Sequence, residues 1–525
     1  MEEGQARSKF LFFALLAGVA VFGCFQIVQA TRWGLWAHSD SAVYYAAARN
    51  FMQGKGLTIS LAGGGFDTYE QFPPLYPILI GVSGKLMGNY FEAARWINIL
   101  AYGVFLYLSG VLVYSITQQV WTSLLAPITF LVSPMLITNF TGAMTEGVFF
   151  ALMMLAWLCA LHTLRFPKVS NLTALILVSS LLPITRYFGL SVIFANFLML
   201  AFFFPAPLKK RLLTAARVSL LSLIPLLLWS VYLFFTTRLV GGRQIGVFAA
   251  FFKHARDALS QMTLVFQKFL PYYGRFENVL SSNTRLALMI MVVSCLFLLC
   301  VLLLLKSAQK GAEGRIRIAE YGSAFLYLLI FTGFIWFSYS ITNASFRIDD
   351  RQLSPLIPML VIFSLLSVAA LTPEGKQARL VSNLLLLLIF GFVFRYYVFT
   401  SRTLIRRLGE DGRGNSSRHY QQSGIIDALK TIPPERLIIS NSSSFILMYD
   451  NRLPLQVEQF HGHAFGSGNS PGEREFREKN AALVLLFPDF YTDYGAGALE
   501  LLAKVTQGLT IAYQDAVSAI YYYPQ

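Results

Sequence analysis

Across the first 400 residues the apolar positions fall in long runs broken by short polar loops; from residue 401 onward they fall in short clusters separated by turn-forming residues. A helix needs about 20 apolar residues to cross the hydrocarbon core of a bilayer. On that length, the runs near 10–30, 92–116, 121–138, 145–164, 171–187, 189–205, 217–237, 286–305, 319–340, 353–371 and 379–399 predict about eleven transmembrane helices. The polar interruption at 31–91 carries a half-apolar helical pattern (Val43, Ala46, Ala47, Phe51), a glycine-rich turn and the prolines Pro73, Pro74 and Pro77. A helix of that kind is expected to lie along the membrane surface with its apolar face in the lipid boundary, holding Asp40 at the interface. Beyond residue 401, helical patterns at 420–431 and 496–505 alternate with buried-strand patterns at Leu437–Ser440, Ala482–Phe487 and 508–523. The expected architecture is an α-helical polytopic membrane domain over 1–400, with an interfacial first outer loop at 31–91 and a long outer loop at 238–285. A small soluble α/β domain over 401–525 follows it.

Composition agrees with the pattern: 55% of residues are hydrophobic and 13% charged, against about 25% charged in soluble domains. The net charge of +15 is unevenly placed, since residues 1–400 hold 30 Lys and Arg against 14 Asp and Glu, and residues 401–525 hold 12 against 13. With no soluble basic domain or stacking platform, this surplus points to anionic membrane lipid and away from nucleic acid. The short basic loops at Arg165/Lys168, Lys209–Arg211, Lys306–Arg317 and Lys376/Arg379 all fall on one side, which makes that side cytoplasmic. The Asp40 loop, Glu146, residues 238–285 and 341–352, and the C-terminal domain then share the other side. Loop 238–285 strains the rule with seven Lys and Arg against Asp257 and Glu277, and reads either as an outer site for an anionic ligand or as a solvated loop.

Arg7 and Lys9 precede the first apolar run and Val28-Gln29-Ala30 resembles a cleavage site. That run, at about 20 residues, is longer than a signal-peptide core, so it is expected to stay as a span. Cys24, Cys159, Cys295 and Cys300 lie in apolar stretches without metal-ligand spacing and read as packing residues. His461-Gly-His463 sits in a Gly/Ser stretch without a third ligand near it and reads as a solvated loop. No cofactor is expected, and the sequence gives no support to a divalent metal.

A charge inside a span is costly, so acids and bases at span ends beside a polar cavity take priority as functional groups. Asp40 and Glu146 fit that description, as does Arg186, which needs an anionic partner or a polar cavity. Each has a plainer reading: Asp40 as a helix cap, Glu146 as the structural partner of a neighbouring basic residue, Arg186 as one member of a structural ion pair, and Asp349 and Asp350 as local partners of Arg347 and Arg351.

The stretch SDSAVYYAAARNFMQGKGL followed by FPPLYP resembles the first outer loop of the C-type glycosyltransferases, membrane enzymes that use polyprenyl-phosphate sugars as donors. It is most similar to the protein O-mannosyltransferases, the lipid A aminoarabinose transferases and the lipopolysaccharide-core sugar transferases. The matching positions are Asp40, Tyr44, Gly54, Gly56 and Pro73-Pro74-Leu75-Tyr76-Pro77. Where many relatives carry an Asp-Glu pair, this chain has Asp40-Ser41. Thr145-Glu146 resembles a second acidic motif of the group, and Arg347-Ile-Asp-Asp-Arg351 a late basic one. The resemblance implies transfer of a sugar from a polyprenyl-phosphate donor to a lipid, glycan or protein acceptor, with inversion, on the outer face of what is expected to be a bacterial inner membrane. In that reading Asp40 is the base, Glu146 orients acceptor or sugar, and Tyr44, Tyr76, Arg186, Arg347 and Arg351 contact substrate. The competing class is a transporter or flippase for an anionic lipid or sugar. Against it stands the concentration of polar residues in one early loop, without an evident internal repeat.

Overall fold

The computed structural model describes residues 2–61, 64–237, 251–267, 311–341, 348–371, 376–457 and 480–522. The membrane domain begins with α1 (Glu2–Ala30), α2 (Ser39–Met52), a ribbon of β1 (Thr58–Ser60) and β2 (Phe66–Thr68), α3 (Leu75–Met87) and α4 (Tyr90–Thr117). It continues through α5 (Val120–Leu131), α6 (Pro134–Phe140), α7 (Glu146–Arg165), α8 (Val169–Thr185), α9 (Gly189–Phe203), α10 (Leu208–Thr237), α11 (Phe251–Gln267), α12 (Gly311–Ile341) and α13 (Asp350–Leu353). Helices Leu356–Leu371 and Lys376–Asp411 complete it.

Among the described residues six segments are long and apolar enough to cross a membrane: Lys9–Ala30, Tyr90–Thr117, Glu146–Arg165, Leu208–Thr237, Ile316–Ile341 and Asp350–Ala370. The expected eleven spans differ from this in identifiable places. The run at 121–138 is not one straight helix, because α5 and α6 meet at a 65° bend. Pro134 opens α6 there, lacking an N–H and pushing Ser133 out of the helical region. The runs at 171–187 and 189–205 form the shorter helices α8 and α9, separated by Arg186, Tyr187 and Phe188. The run at 286–305 lies outside the described residues, as do Cys295 and Cys300. The core is built from the inward faces of α4, α7, α9 and α12, with Trp157 stacked on Tyr327. Phe22, Leu100, Leu220 and Phe235 are exposed on the outer surface, as expected of lipid-facing positions.

The turn between α8 and α9 is tight because Gly189 packs against the end of α8. A Cβ there would lie 2.5 Å from Pro183 N and 2.6 Å from Leu182 O, both backbone atoms. Gly189→Ala is expected to destabilise the chain by about 1–3 kcal/mol through overpacking and to displace Arg186, three residues upstream. A downward shift of the thermal-unfolding midpoint is the readout.

Helix α2 corrects the expectation of an interfacial helix. Tyr44, Tyr45, Ala46, Ala47, Ala48 and Asn50 are all buried, because α3 packs on one side and the C-terminal domain on another. Arg49 donates to Met448 O at 2.6 Å, Asn451 to Asn50 Oδ1 at 3.1 Å, and the Leu453 N–H to Ser60 O at 2.8 Å. The run of alanines permits this close double packing, and small side chains on both faces are what make α2 look only half apolar in sequence.

In the C-terminal domain a five-stranded mixed sheet has the order β4 (Leu455–Gln456), β3 (Ile438–Ser440), β5 (Ala482–Leu486), β7 (Ser518–Tyr522), β6 (Thr510–Gln514). β3 runs parallel to β4 and β5, whereas β7 runs antiparallel to β5 and β6. The uniformly buried β5 is the central strand that its unbroken apolar run predicts. The 420–431 pattern forms two short helices, Arg418–Gln422 and Ile425–Leu429, interrupted at Ser423-Gly424. The amphipathic α11, in the middle of the 238–285 loop, packs on α12 and accepts the Ile348 N–H on Gln261 at 2.9 Å.

Candidate active site

Asp40 lies in the first turn of α2, while His38 occupies the capping position and donates its N–H to Ser41 Oγ at 3.3 Å. The Asp40 carboxylate is therefore not consumed as a helix cap. It faces a cavity of about 360 Å³ lined by residues from α2, the loop before α3, the α8–α9 turn, α10, α12 and α13. Pro73 stands in that lining and Pro74 caps α3, so the proline cluster starts a helix and shapes one wall at once.

Four sequence-distant charged groups meet at the wall of the cavity. Arg351 Nη2 lies 3.2 Å from Asp40 Oδ2, and Arg351 Nε lies 3.0 Å from Glu146 Oε1. Arg186 Nη1 approaches the same Glu146 oxygen at 2.5 Å. Glu146 is 1% exposed, Arg186 12%, and Asp40 and Arg351 28% each. One buried carboxylate thus holds two guanidinium groups, both of which line the cavity. A carboxylate tolerates this burial at the N-terminal turn of α7, where the helix dipole favours negative charge and two cations compensate it. Glu146 Oε2 has no hydrogen-bond partner among the described residues.

The expected site residues fall into three groups. Asp40, Tyr44, Arg186 and Arg351 line the cavity. Glu146, expected to orient acceptor or sugar, is outside the lining, whereas both of its cationic partners are in it. Tyr76 is the second correction; it is fully buried in the α3–α4 packing and donates its hydroxyl to Asn98 at 3.2 Å, away from the lining. Its ring meets Tyr44 edge to face at 5.4 Å, so it supports a cavity residue without reaching the cavity. Arg347, His461 and His463 lie outside the described residues. Burial, together with the charges of Asp40 and Glu146, pushes the Tyr44 phenol well above its ordinary pKa, keeping it a neutral donor.

Thr185, Ser230, Ser338 and Gln352 also line the cavity without a strong sequence signal, and so does Asp349, expected to be a local partner of the neighbouring arginines. A lone serine in a span, such as Ser230 within LLLWSVYL, is a weak signal because serine often bonds its own helix. Asp349 caps α13 by accepting the Gln352 N–H at 2.9 Å. Among the described residues no group of three or more His, Cys, Asp or Glu is placed to hold a metal ion.

No protein-family model matches the chain, and no curated protein sequence does. Solved structures do. ArnT from Cupriavidus metallidurans bound to undecaprenyl phosphate matches with a TM-score of 0.54 at 14% identity, covering 98% of this chain and 99% of that one. The same protein in the apo state matches at 0.53 and 14%, covering 99% and 100%. The arabinofuranosyltransferase AftD from Mycobacteria matches at 0.54 and 13%, covering 98% of this chain, which spans 42% of that longer one. The chain shares the fold of these solved structures.

Proposed function

We propose that this chain is a membrane glycosyltransferase that moves a sugar from a polyprenyl-phosphate donor to an acceptor on the outer side of the membrane. The observation that carries the reading is the convergence of the Asp40 carboxylate and two oriented arginines on a single cavity, within a fold shared with an undecaprenyl-phosphate-bound protein. Arg186 and Arg351 bind the donor phosphate, a task suited to the planar guanidinium fork. The acceptor hydroxyl attacks the anomeric carbon from the face opposite the phosphate. The new C–O bond forms as the sugar–phosphate bond breaks, Asp40 takes the hydroxyl proton, and the electron pair leaves on the lipid phosphate. Single displacement inverts the anomeric centre. Glu146 contributes by holding both arginines; it touches no substrate.

The outward placement of the site is supported by α7. Its other end carries the Arg165–Glu320 ion pair at 2.6 Å, on the side where the short basic loops cluster, about 28 Å from Glu146 at 1.5 Å per residue. The cavity then opens away from the cytoplasm.

The test is purified protein incubated with a radiolabelled undecaprenyl-phosphate sugar and an envelope extract. Covalent label on an acceptor supports the reading; label that crosses a sealed bilayer and stays unattached makes the chain a transporter.

Asp349 sets a pH dependence. Burial raises its pKa above the ordinary 3.8, the neighbouring Glu146 adds to this, and Arg351 and Arg186 oppose it. Its folded pKa being raised, protonation is favoured by the fold and is lost as pH rises through that value. A protonated Asp349 removes one negative charge from the cavity, so phosphate binding is expected to tighten as pH falls toward the raised pKa. Asp349→Asn preserves a capping side chain and is expected to tighten undecaprenyl-phosphate binding severalfold at neutral pH, on the order of 1 kcal/mol. It is also expected to flatten the pH profile of Kd. An unchanged profile would remove Asp349 from the electrostatics of the site.

A further inference from the structure

A second cavity, of about 390 Å³, lies on the other side of the Ser39–Asp40 step. Three separate stretches wall it: His38 and Ser39 ahead of α2, Gly414 and Asn415 at the junction, and the C-terminal domain through Asn441–Ser444, Gln456 and the face of helix Phe487–Tyr494 bearing Asp489, Thr492 and Asp493. Its volume is in the range of small-ligand sites, about 300–1,000 Å³. Among the described residues its side chains are hydroxyls, amides, carboxylates and the His38 imidazole, with no lysine or arginine.

Two details point to an occupant. Ser443 Oγ is buried and has no hydrogen-bond partner among the described residues, although a buried hydroxyl left unmatched is costly. Asp40, which lines the first cavity, is linked to the second through Ser39: its Oδ2 faces Arg351, and its Oδ1 accepts from Ser39 Oγ at 3.4 Å, a residue of the second lining. The carboxylate oxygen not tied to Arg351 is thus the one that accepts from a lining residue of the second cavity.

We propose that this cavity binds the acceptor, as a hydroxyl-rich carbohydrate that is either neutral or carries an amino group. The division of charge selects the ligand class. Arginines line the donor cavity and attract phosphate; Asp489 and Asp493 line this one, favouring an ammonium group and opposing a phosphate or carboxylate. Hydroxyls and amides that both donate and accept match the hydroxyl groups of a sugar. The C-terminal domain then supplies most of the acceptor contacts, and the position of Ser39 directs a bound hydroxyl toward Asp40. This rests on the glycosyltransferase reading for what becomes of the bound sugar, though not for the binding itself.

Saturation-transfer NMR on the purified full chain, with methyl glucoside, glucosamine and glucuronate as probes, tests it. Methyl glucoside and glucosamine are expected to give signals that fall at least fivefold in Ser443→Met, which fills the cavity. Glucuronate is expected to give little signal in the wild type and at least threefold more in Asp489→Asn. Undecaprenyl-phosphate binding, measured alongside, should be the same in both variants as in the wild type. Equal responses of all three sugars in wild type and Ser443→Met overturn the proposal, as does an absence of signal from every sugar in the wild type. Should Ser443→Met fail to fold, the near-isosteric Asp489→Asn decides alone, an unchanged glucuronate-to-glucoside ratio overturning the charge selection. Loss of undecaprenyl-phosphate binding by the wild type would instead remove the donor reading and leave sugar binding standing.

Discussion

Asp40→Asn is expected to lower the rate of sugar transfer by 10²–10⁴-fold, the range supplied by a positioned general base, while leaving donor affinity within a few-fold of wild type. The substitution keeps the shape of the side chain and removes its ability to accept a proton. Helix α2 should survive it, since His38 holds the capping position and most of the helix is buried between α3 and the C-terminal domain. Arg351 loses one of two anionic partners but keeps Glu146 at 3.0 Å, so the phosphate site retains its orientation. Removal of a negative charge from the cavity acts, if anything, to strengthen binding of an anionic donor. Single-turnover transfer and undecaprenyl-phosphate binding, measured on the same preparation, separate the two effects. A variant that transfers at the wild-type rate would remove Asp40 from the chemistry; one that loses donor binding in equal proportion would make it a structural partner of Arg351.

How far the sequence predicts this site depends on whether a residue's role is set locally. Asp40 could be singled out because it sits in a motif, at the end of an apolar run, where a charge needs a reason. The same reasoning reached Arg186 and Glu146, yet it could not say that they would pair, since 40 residues of span and loop separate them. Arg351 approaches Asp40 across 311 positions, a distance on which no periodicity bears. Tyr76 shows the opposite error: a motif position whose aromatic ring belongs to the core beneath the site, which spacing along the chain does not distinguish from a ring that faces substrate. The misplacement of α2 has a similar origin. Its pattern looks half apolar because small alanines occupy both faces, and alanine suits close helix packing as well as it suits a lipid boundary. In the C-terminal domain the central strand was legible from its unbroken apolar run. The second cavity was not, because serine and asparagine in three loops look like turn residues until the fold brings them to one wall.

The Glu146→Gln substitution is expected to cost about 3 kcal/mol of stability, the lower end of the range for unpairing a buried charge. Arg186, at 12% exposure, loses its carboxylate partner, whereas the more exposed Arg351 keeps Asp40. The functional loss should be larger than stability alone explains. Both guanidinium groups take their position from Glu146 Oε1, and a misplacement of about 1 Å in a reacting array is enough for a 10²-fold loss of rate. Donor binding is expected to weaken at least tenfold, with transfer falling further. Glu146→Asp, which preserves the charge on a shorter stem, should recover part of the donor affinity. The comparison that isolates positioning from folding is Glu320→Gln, which breaks the ion pair to Arg165 at the opposite end of α7. It removes a mostly buried carboxylate from the same helix assembly about 28 Å from the cavity, so it should lower the unfolding temperature without changing the donor Kd. If Glu146→Gln and Glu320→Gln proved indistinguishable in both stability and donor affinity, Glu146 would be a structural residue only, and the two arginines would owe their orientation to something else in the lining.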